Sequence, residues 1–172
     1  MRGDLPIPGS VRSRLLDAGL QLFSTQPYDQ VEISALTAQA GVTSGALYHH
    51  FQSKQGLYGV LREEMTLRLS DRMEAAADTA APSDKLKVAV LAAYDGVFRI
   101  RAGHLLIDPD PRGIPDPLTG TLGEFARQSG VLEPEISAQL LCAALKAALR
   151  AGVDLNMRAS VRQALENLMG WL

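Results

Sequence analysis

The stretch that decides the fold runs from Ile33 to Lys54 and reads ISALTAQAGVTSGALYHHFQSK. It contains two short segments whose apolar residues have helical spacing, separated by Gly41. Gly41 can adopt the positive φ of a tight turn, and Thr43 or Ser44 can cap the second helix. Two short helices joined in this way are typical of a helix-turn-helix, whose second helix lies in the major groove of DNA.

The side chains of this stretch divide into two groups. An apolar group is predicted to face inward and to fix the angle between the helices: Leu36, Ala40, Val42, Leu47 and Phe51. Gly45 and Ala46 have small side chains on the exposed face of the second helix, so its backbone can approach DNA closely. A polar group supplies hydroxyl, imidazole and ammonium groups to the nucleic acid: Thr43, Ser44, Tyr48, His49, His50 and Lys54.

The pattern from Ala40 to Phe51, followed by Ser53 to Leu57, resembles the tetracycline-repressor-like (TetR) family of transcriptional regulators. Leu22-Phe23 and the Pro27-Tyr28 turn extend the resemblance, which covers roughly residues 10 to 62. It implies a homodimer with a helix-turn-helix DNA-binding domain over residues 1–62. It also implies a helical domain over residues 63–172 that binds a small-molecule effector and forms the dimer.

The resemblance implies contacts between a double-stranded DNA operator and eight residues: Ser34, Thr43, Ser44, Gly45, Tyr48, His49, His50 and Lys54. Ser34 and Lys54 match phosphate-contacting positions. Glu32 stands where the family usually has threonine, and its carboxylate suits the helix dipole but repels a phosphate. The two adjacent histidines also raise the alternative of a metal pair. Neighbouring helical positions do not face each other, so no metal site is expected there.

Composition limits the possible classes of protein. The chain has 172 residues, 47% of them hydrophobic, and a formal charge of −2, which splits into +1 for residues 1–62 and −3 for the remainder. This balance argues against a surface that is basic throughout and binds nucleic acid by charge alone, but it allows a small local basic patch. The single cysteine excludes an intramolecular disulfide. Neither a signal peptide nor a membrane span is evident, so we expect a cytoplasmic protein without membrane association.

Helical periodicity dominates the chain, and no segment alternates as a strand does. The expected fold is all-α: an N-terminal three-helix helix-turn-helix domain followed by a small helical ligand-binding and dimerisation domain. Beyond the helix-turn-helix, we predict helices over residues 53–77, 83–106, 118–128, 134–151 and 159–171. The proline-rich segment 108–117 is predicted to be an ordered loop, which either gates a pocket or forms a rigid connection.

Two further sets of residues are candidates in the C-terminal region. The predicted dimer interface consists of Leu141, Leu145, Ala148, Val161, Leu165 and Leu168, for which the alternative is the core of a monomer. The candidate pocket residues are Tyr94, Phe98, Arg101, His104, Phe125 and Cys142. Aromatic residues at this helical spacing are also typical of a core.

The functional prediction is a ligand-responsive repressor that covers a palindromic operator as a dimer, although activation is an open alternative. No phosphate-binding glycine loop, Gly-x-Ser-x-Gly motif or metal-ligand cluster is present, so we expect neither an enzyme nor a cofactor. A different class of function is also conceivable, namely a small helical carrier or sensor whose helix-turn-helix no longer binds DNA.

Overall fold

The structure, a computed structural model, describes residues 9–170, and every regular element in that range is helical. The predicted all-α class is therefore confirmed. The helices are α1 (Val11–Thr25), α2 (Ile33–Ala40), α3 (Ser44–Phe51), α4 (Lys54–Ala77), α5 (Lys85–Arg99), α6 (Gly103–Ile107), α7 (Pro117–Gln128), α8 (Pro134–Ala151) and α9 (Arg158–Met169). The predicted end of the last helix, Trp171, lies outside the described residues. No helix within residues 9–170 is both long and apolar enough to cross a bilayer.

The chain forms two compact units. The first comprises the residues up to Glu64 together with Ala102–Gly113, and the second comprises Met65–Arg101 and the residues from Ile114 onward. Helix α4 begins in the first unit and continues into the second, whereas α6 belongs to the first. A division at residue 62 leaves Ala102–Gly113 in the C-terminal region, but the structure groups this segment with the N-terminal helices.

The core of the first unit follows from its local sequence signals. The hydroxyl of Ser10 caps α1 by accepting a hydrogen bond from the amide of Ser13 at 3.2 Å. The rings of Phe23, Tyr28 and Tyr58 lie 5.1–5.9 Å apart between centroids and pack together. Burial of these rings and of the leucines around them holds α1 to the start of α4.

The single helix predicted over residues 83–106 is wrong. A short 3-10 turn covers Pro82–Asp84, α5 ends at Arg99, and α6 starts afresh at Gly103. Between the two helices, Arg101 has a φ of 53°, which an α-helix does not allow. A methyl group at Gly103 would collide with the carbonyl oxygen of Ser24, so α6 packs directly on the end of α1. Helical periodicity continues through this region, and the contact with α1 is what interrupts it.

A buried arginine fastens the segment after α6 to α4. The side chain of Arg62 is only 3% exposed, and its Nη1 donates to the carbonyl oxygens of Leu105 at 2.7 Å and Asp108 at 2.9 Å. Its Nε lies 3.4 Å from the equally buried carboxylate of Asp110. Arg112 adds hydrogen bonds to Asp110 at 2.9 and 3.0 Å and to Glu63 at 2.8 Å. The first half of the proline-rich segment is therefore a fixed part of the first unit.

The second unit is a bundle in which α7 packs on α8, and α5 packs on α7, α8 and α9. Polar contacts join its helices at their ends. The hydroxyl of Tyr94 donates to the carbonyl oxygen of Arg158 at 3.0 Å, and Arg162 binds both carboxylate oxygens of Asp95 at 3.0 Å. Asp116 caps α7 through the amide of Leu118.

Replacing Asp110 with asparagine is expected to lower the free energy of unfolding by about 3–5 kcal/mol, because it leaves the Arg62 guanidinium buried without its carboxylate. The matched control is Glu63→Gln, which removes the exposed side of the same network and is expected to cost less than about 1 kcal/mol. Urea unfolding followed by circular dichroism measures both values. Equal losses in the two variants would contradict the assignment of a buried pair.

The buried pair of Arg62 and Asp110 also predicts that the free energy of unfolding depends on pH. Burial alone would raise the pKa of Asp110, but the hydrogen bonds from Arg112 outweigh it and hold the pKa below its ordinary value. The stabilisation is therefore complete above the ordinary carboxyl pKa and is lost as the pH falls through the lowered value. The difference in the free energy of unfolding between wild type and Asp110→Asn is therefore expected to become smaller below about pH 4.

Candidate nucleic-acid interface

The turn between α2 and α3 has the geometry that its sequence predicts. Gly41 adopts φ 62° and ψ 42°, the left-handed conformation that glycine accepts without strain. The amide of Val42 donates to the carbonyl oxygen of Thr37 at 3.0 Å, which closes the end of α2. The hydroxyl of Thr43 then accepts from the amide of Ala46 at 3.4 Å and caps α3.

One face of the two helices is buried in the first unit. Leu36 and Leu47 are fully buried and Ala40 and Phe51 nearly so, while Val42 is half-buried. The prediction that these five side chains face inward is confirmed. Because both helices are held by the same core, their relative angle is fixed by packing and not by the turn alone.

The opposite face of α3 is open to solvent. Its exposed residues are Thr43, Ser44, Gly45, Tyr48, His49 and His50, which we call the recognition face. Tyr48 is 49% exposed, a large fraction for an aromatic side chain. Ser34 is also exposed, in the first turn of α2, next to Glu32, whose side chain makes no capping hydrogen bond to that helix.

Lys54 has an internal role that its sequence position does not reveal. Its Nζ donates to the carbonyl oxygens of Tyr28 and Val31, both at 3.0 Å, and lies 4.1 Å from the centre of the Tyr28 ring. Two of the three N–H groups of the ammonium are thereby used within the unit. The predicted contact between Lys54 and a DNA phosphate stays a prediction, since only the third N–H is left for it.

The residues that form this interface match a known family. The model of the bacterial regulatory proteins of the tetR family matches residues 15–61, which include most of α1, all of α2 and α3, and the start of α4. Over this region the chain is similar to the TetR family.

Individual proteins extend the likeness. The KstR2 transcriptional repressor of Mycolicibacterium smegmatis is 26% identical over 110 residues, which make up 63% of this chain and 54% of that protein. The AcrR transcriptional regulator of Shigella flexneri is 32% identical over 77 residues, 45% of this chain and 35% of that one. The chain thus spans about half or less of the length of these curated relatives. A solved TetR-family regulator from Pectobacterium atrosepticum has 25% identity and a TM-score of 0.68, covering 94% of this chain and 91% of that one.

The candidate pocket residues are not brought together in one unit. His104 lies in the first unit, where its Nδ1 is 3.0 Å from Oδ2 of Asp108. The second unit holds the other five, of which Tyr94, Phe125 and Cys142 are buried and Arg101 is exposed. The guanidinium of Arg158 lies 3.9 Å from the centre of the Phe98 ring and covers it. Tyr94 and Phe98 are therefore packed against their own unit.

A cavity of about 320 Å³ in the second unit contains one of the predicted pocket residues, Phe125. Its lining is otherwise mostly polar: Glu74, Ala77, Asp78, Lys85, Thr121, Glu124 and Gln128. This volume lies at the small end of known ligand pockets, which span roughly 300–1,000 Å³. Within residues 9–170, no group of three or more His, Cys, Asp or Glu side chains is arranged to hold a metal ion.

The predicted dimer residues lie mostly on the inner face of their helices. Leu141, Leu145 and Leu165 are buried within the second unit, Ala148 and Val161 are half-buried, and only Leu168 is well exposed. A different set is exposed on α8 and just before it, at steps of three and four residues: Leu132, Ile136, Leu140, Ala143 and Ala147. We call these five residues and Leu168 the apolar stripe. Its spacing is readable in the sequence, but α8 is apolar on most sides, so sequence alone does not say which side faces outward.

The sequence did not predict that Arg62, Asp110 and Arg112 interact. Asp110 and Arg112 lie in a proline-rich loop and Arg62 in a long helix, about 50 positions away along the chain. The charge pattern gives no signal that these groups meet, because the contact depends on the return of α6 to the first unit.

Lys54→Met keeps the aliphatic stem and removes the ammonium that joins Tyr28 to Val31. We expect the free energy of unfolding to fall by about 1–3 kcal/mol, since two hydrogen bonds from a charged group are lost. The salt dependence of DNA binding tests the predicted phosphate contact. A slope of log K against log salt that falls by about 0.9 per subunit would establish the contact, whereas an unchanged slope would limit Lys54 to its internal hydrogen bonds.

Proposed function

We propose that the protein is a sequence-specific DNA-binding transcriptional regulator that binds a palindromic operator as a homodimer. The observation that carries this proposal is the recognition face, a row of exposed polar side chains on a helix whose other side is locked into a core. A helix held in this way can enter the major groove without losing conformational freedom on binding. The match of residues 15–61 to the TetR family supports the same role.

The roles of individual groups follow from where they lie. A methyl group added at Gly45 would meet only the hydroxyl of Thr43, at 3.8 Å, so the fold itself does not require glycine there. Glycine at an exposed position of α3 suits a close approach of backbone to DNA. Thr43, Ser44 and Tyr48 supply hydroxyl groups for phosphates and base edges, and Ser34 supplies one from α2.

The second copy of the chain is proposed to bind at the apolar stripe. Leu140 is 67% exposed and Ile136 is 56% exposed, and the small residues Ala143 and Ala147 continue the same side of α8. Two such helices can pack closely, with leucine against alanine, when they are related by a two-fold axis. TetR-family regulators act as dimers, which supports this choice of partner.

The second unit is proposed to bind the small-molecule effector in the cavity beside Phe125. Three carboxyl groups and one ammonium group line it, which favours a small polar or cationic molecule over a long acyl chain. Repression by occupancy is the proposed mode: the dimer covers the operator until the effector favours a conformation that binds DNA less well. A protein acting on chromosomal operators in this way works in the cytoplasm.

Selection of bound duplexes from a random-sequence pool tests the proposed function. The expected result is enrichment of an inverted repeat with half-sites about one or more helical turns apart. Absence of any enriched sequence would favour the carrier or sensor alternative.

Tyr48→Ala is expected to weaken binding to the enriched duplex by about tenfold or more, because an exposed contact is removed from each half-site. The free energy of unfolding should hardly change, since Tyr48 supports no core. The matched control, Leu67→Ala, truncates a residue on α4 that is 59% exposed and should leave DNA binding intact. Fluorescence anisotropy with labelled duplex gives both affinities, and equal losses would contradict the assigned face.

Leu140→Glu places a charge in the middle of the apolar stripe. We expect the dimer to dissociate at concentrations where the wild type stays dimeric, because the carboxylate would have to be buried without a partner. Sedimentation equilibrium measures the change, and Leu67→Glu serves as the control with a similarly exposed leucine. A variant that remains as dimeric as the control would place the interface elsewhere.

A further inference from the structure

The recognition face carries no permanent positive charge. Helix α3 contains neither lysine nor arginine, and the six residues of the face are two hydroxyl residues, a glycine, a tyrosine and two histidines. Affinity for DNA depends largely on cations that neutralise phosphates. The net charge over residues 1–62 is only +1, so the rest of this region adds little positive charge to compensate.

On the elements next to α3, the cations described below interact with groups of the first unit. Helix α3 packs against α1 and α2, and α4 follows it. On α1, the guanidinium of Arg12 lies 5.5 Å from the centre of the Phe51 ring, and Arg14 donates to the carbonyl oxygen of Gly41 at 3.2 Å. Lys54 of α4 donates to two carbonyl groups. Within the first unit, the acidic groups on these elements are Asp17 of α1, Glu32 before α2, and Glu63 and Glu64 of α4, all exposed.

His49 and His50 are the residues of the face whose side chains can carry a positive charge. Both are exposed, and their rings lie 5.0 Å apart between centroids. His50 also lies 6.3 Å from the ring of Phe51. Neither imidazole forms a hydrogen bond or ion pair with another residue in the described range 9–170. Each ring therefore has both nitrogen atoms available to a partner outside the chain.

We propose that His49 and His50 are proton-dependent cations of the DNA interface, so that affinity for DNA rises as the pH falls through the range in which histidine titrates. This inference rests on the proposed function. Among side chains, histidine is the type that gains a proton most readily between about pH 8 and pH 5. Because binding free energies are reciprocal, a phosphate that favours the imidazolium form is itself bound more tightly by it. A dimer presents four such groups.

The rest of the chain gives little competing dependence on pH in this range. The sequence contains three histidines, and the third, His104, lies on α6 beside Asp108 and not on α3. The buried pair of Arg62 and Asp110 stays ionised at about pH 6, because the pKa of Asp110 is held below its ordinary value. His104→Gln is therefore a matched control for replacing a histidine elsewhere in the same unit.

The experiment measures the affinity of the full chain for the enriched duplex, and for a scrambled duplex of equal length, between about pH 6 and pH 8 at several salt concentrations. We expect binding to be about tenfold or more tighter at the lower pH, and the slope of log K against log salt to steepen by about 0.9 for each imidazolium that meets a phosphate. The double variant His49→Gln, His50→Gln should bind with little dependence on pH. His104→Gln should retain the dependence of the wild type.

A variant with fixed charge separates protonation from other effects of pH. His49→Lys should bind at pH 8 with a salt slope steeper than that of the wild type at the same pH by about 0.9 per subunit, because it adds one fixed charge. Circular dichroism at both pH values verifies that all variants are folded. Wild-type binding that does not change with pH, or a double variant that keeps the full change, would overturn the inference. In either case sequence-selective binding itself would leave the proposed function standing, whereas no binding at any pH would overturn both.

Discussion

The interface depends on one constraint, the left-handed turn at Gly41 between two helices that share a core. The turn sets the direction in which α3 leaves α2, and burial of Leu36, Leu47 and Phe51 keeps it there. Neither contribution suffices alone. A turn without the core leaves a hinge, and a core without positive φ at residue 41 forces a strained backbone on any residue with a side chain. Together they present six residues of α3 to solvent in one fixed arrangement.

This rigid arrangement extends beyond the N-terminal segment of the chain. Arg62, buried among the carbonyl groups of Leu105 and Asp108 and the carboxylate of Asp110, joins α4 to a segment about 45 residues further on. Burial of a guanidinium costs less when acceptors meet it, and Nη1 of Arg62 meets two carbonyl oxygens of the segment that follows the start of α6. Lys54 likewise donates to two carbonyl groups before α2. The first unit is thus stabilised by cations that bind its own carbonyl groups.

The consequence for DNA binding is a division between structural and functional charges. Arg62 and Lys54 satisfy internal carbonyl groups, whereas the exposed face of α3 carries hydroxyl and imidazole groups and neither lysine nor arginine. The second unit shows a comparable division among apolar residues. Leu141 and Leu145 fill the core, whereas Ile136 and Leu140 of the same helix are exposed. In both units, the position of a residue within the fold decides whether it stabilises the interior or is exposed to a partner.

The sequence alone determined the helical class, the positions of most helices, the turn at Gly41 and the inward and outward sides of α2 and α3. These features depend on spacing within about 20 residues, through helical periodicity, capping and the conformational preference of glycine. The tertiary structure decided the rest: the break before α6, the burial of Arg62 with Asp110, the internal role of Lys54 and the side of α8 that is left uncovered. Each of these features depends on which distant segment packs against a residue. Neither residue type nor local spacing predicts that packing.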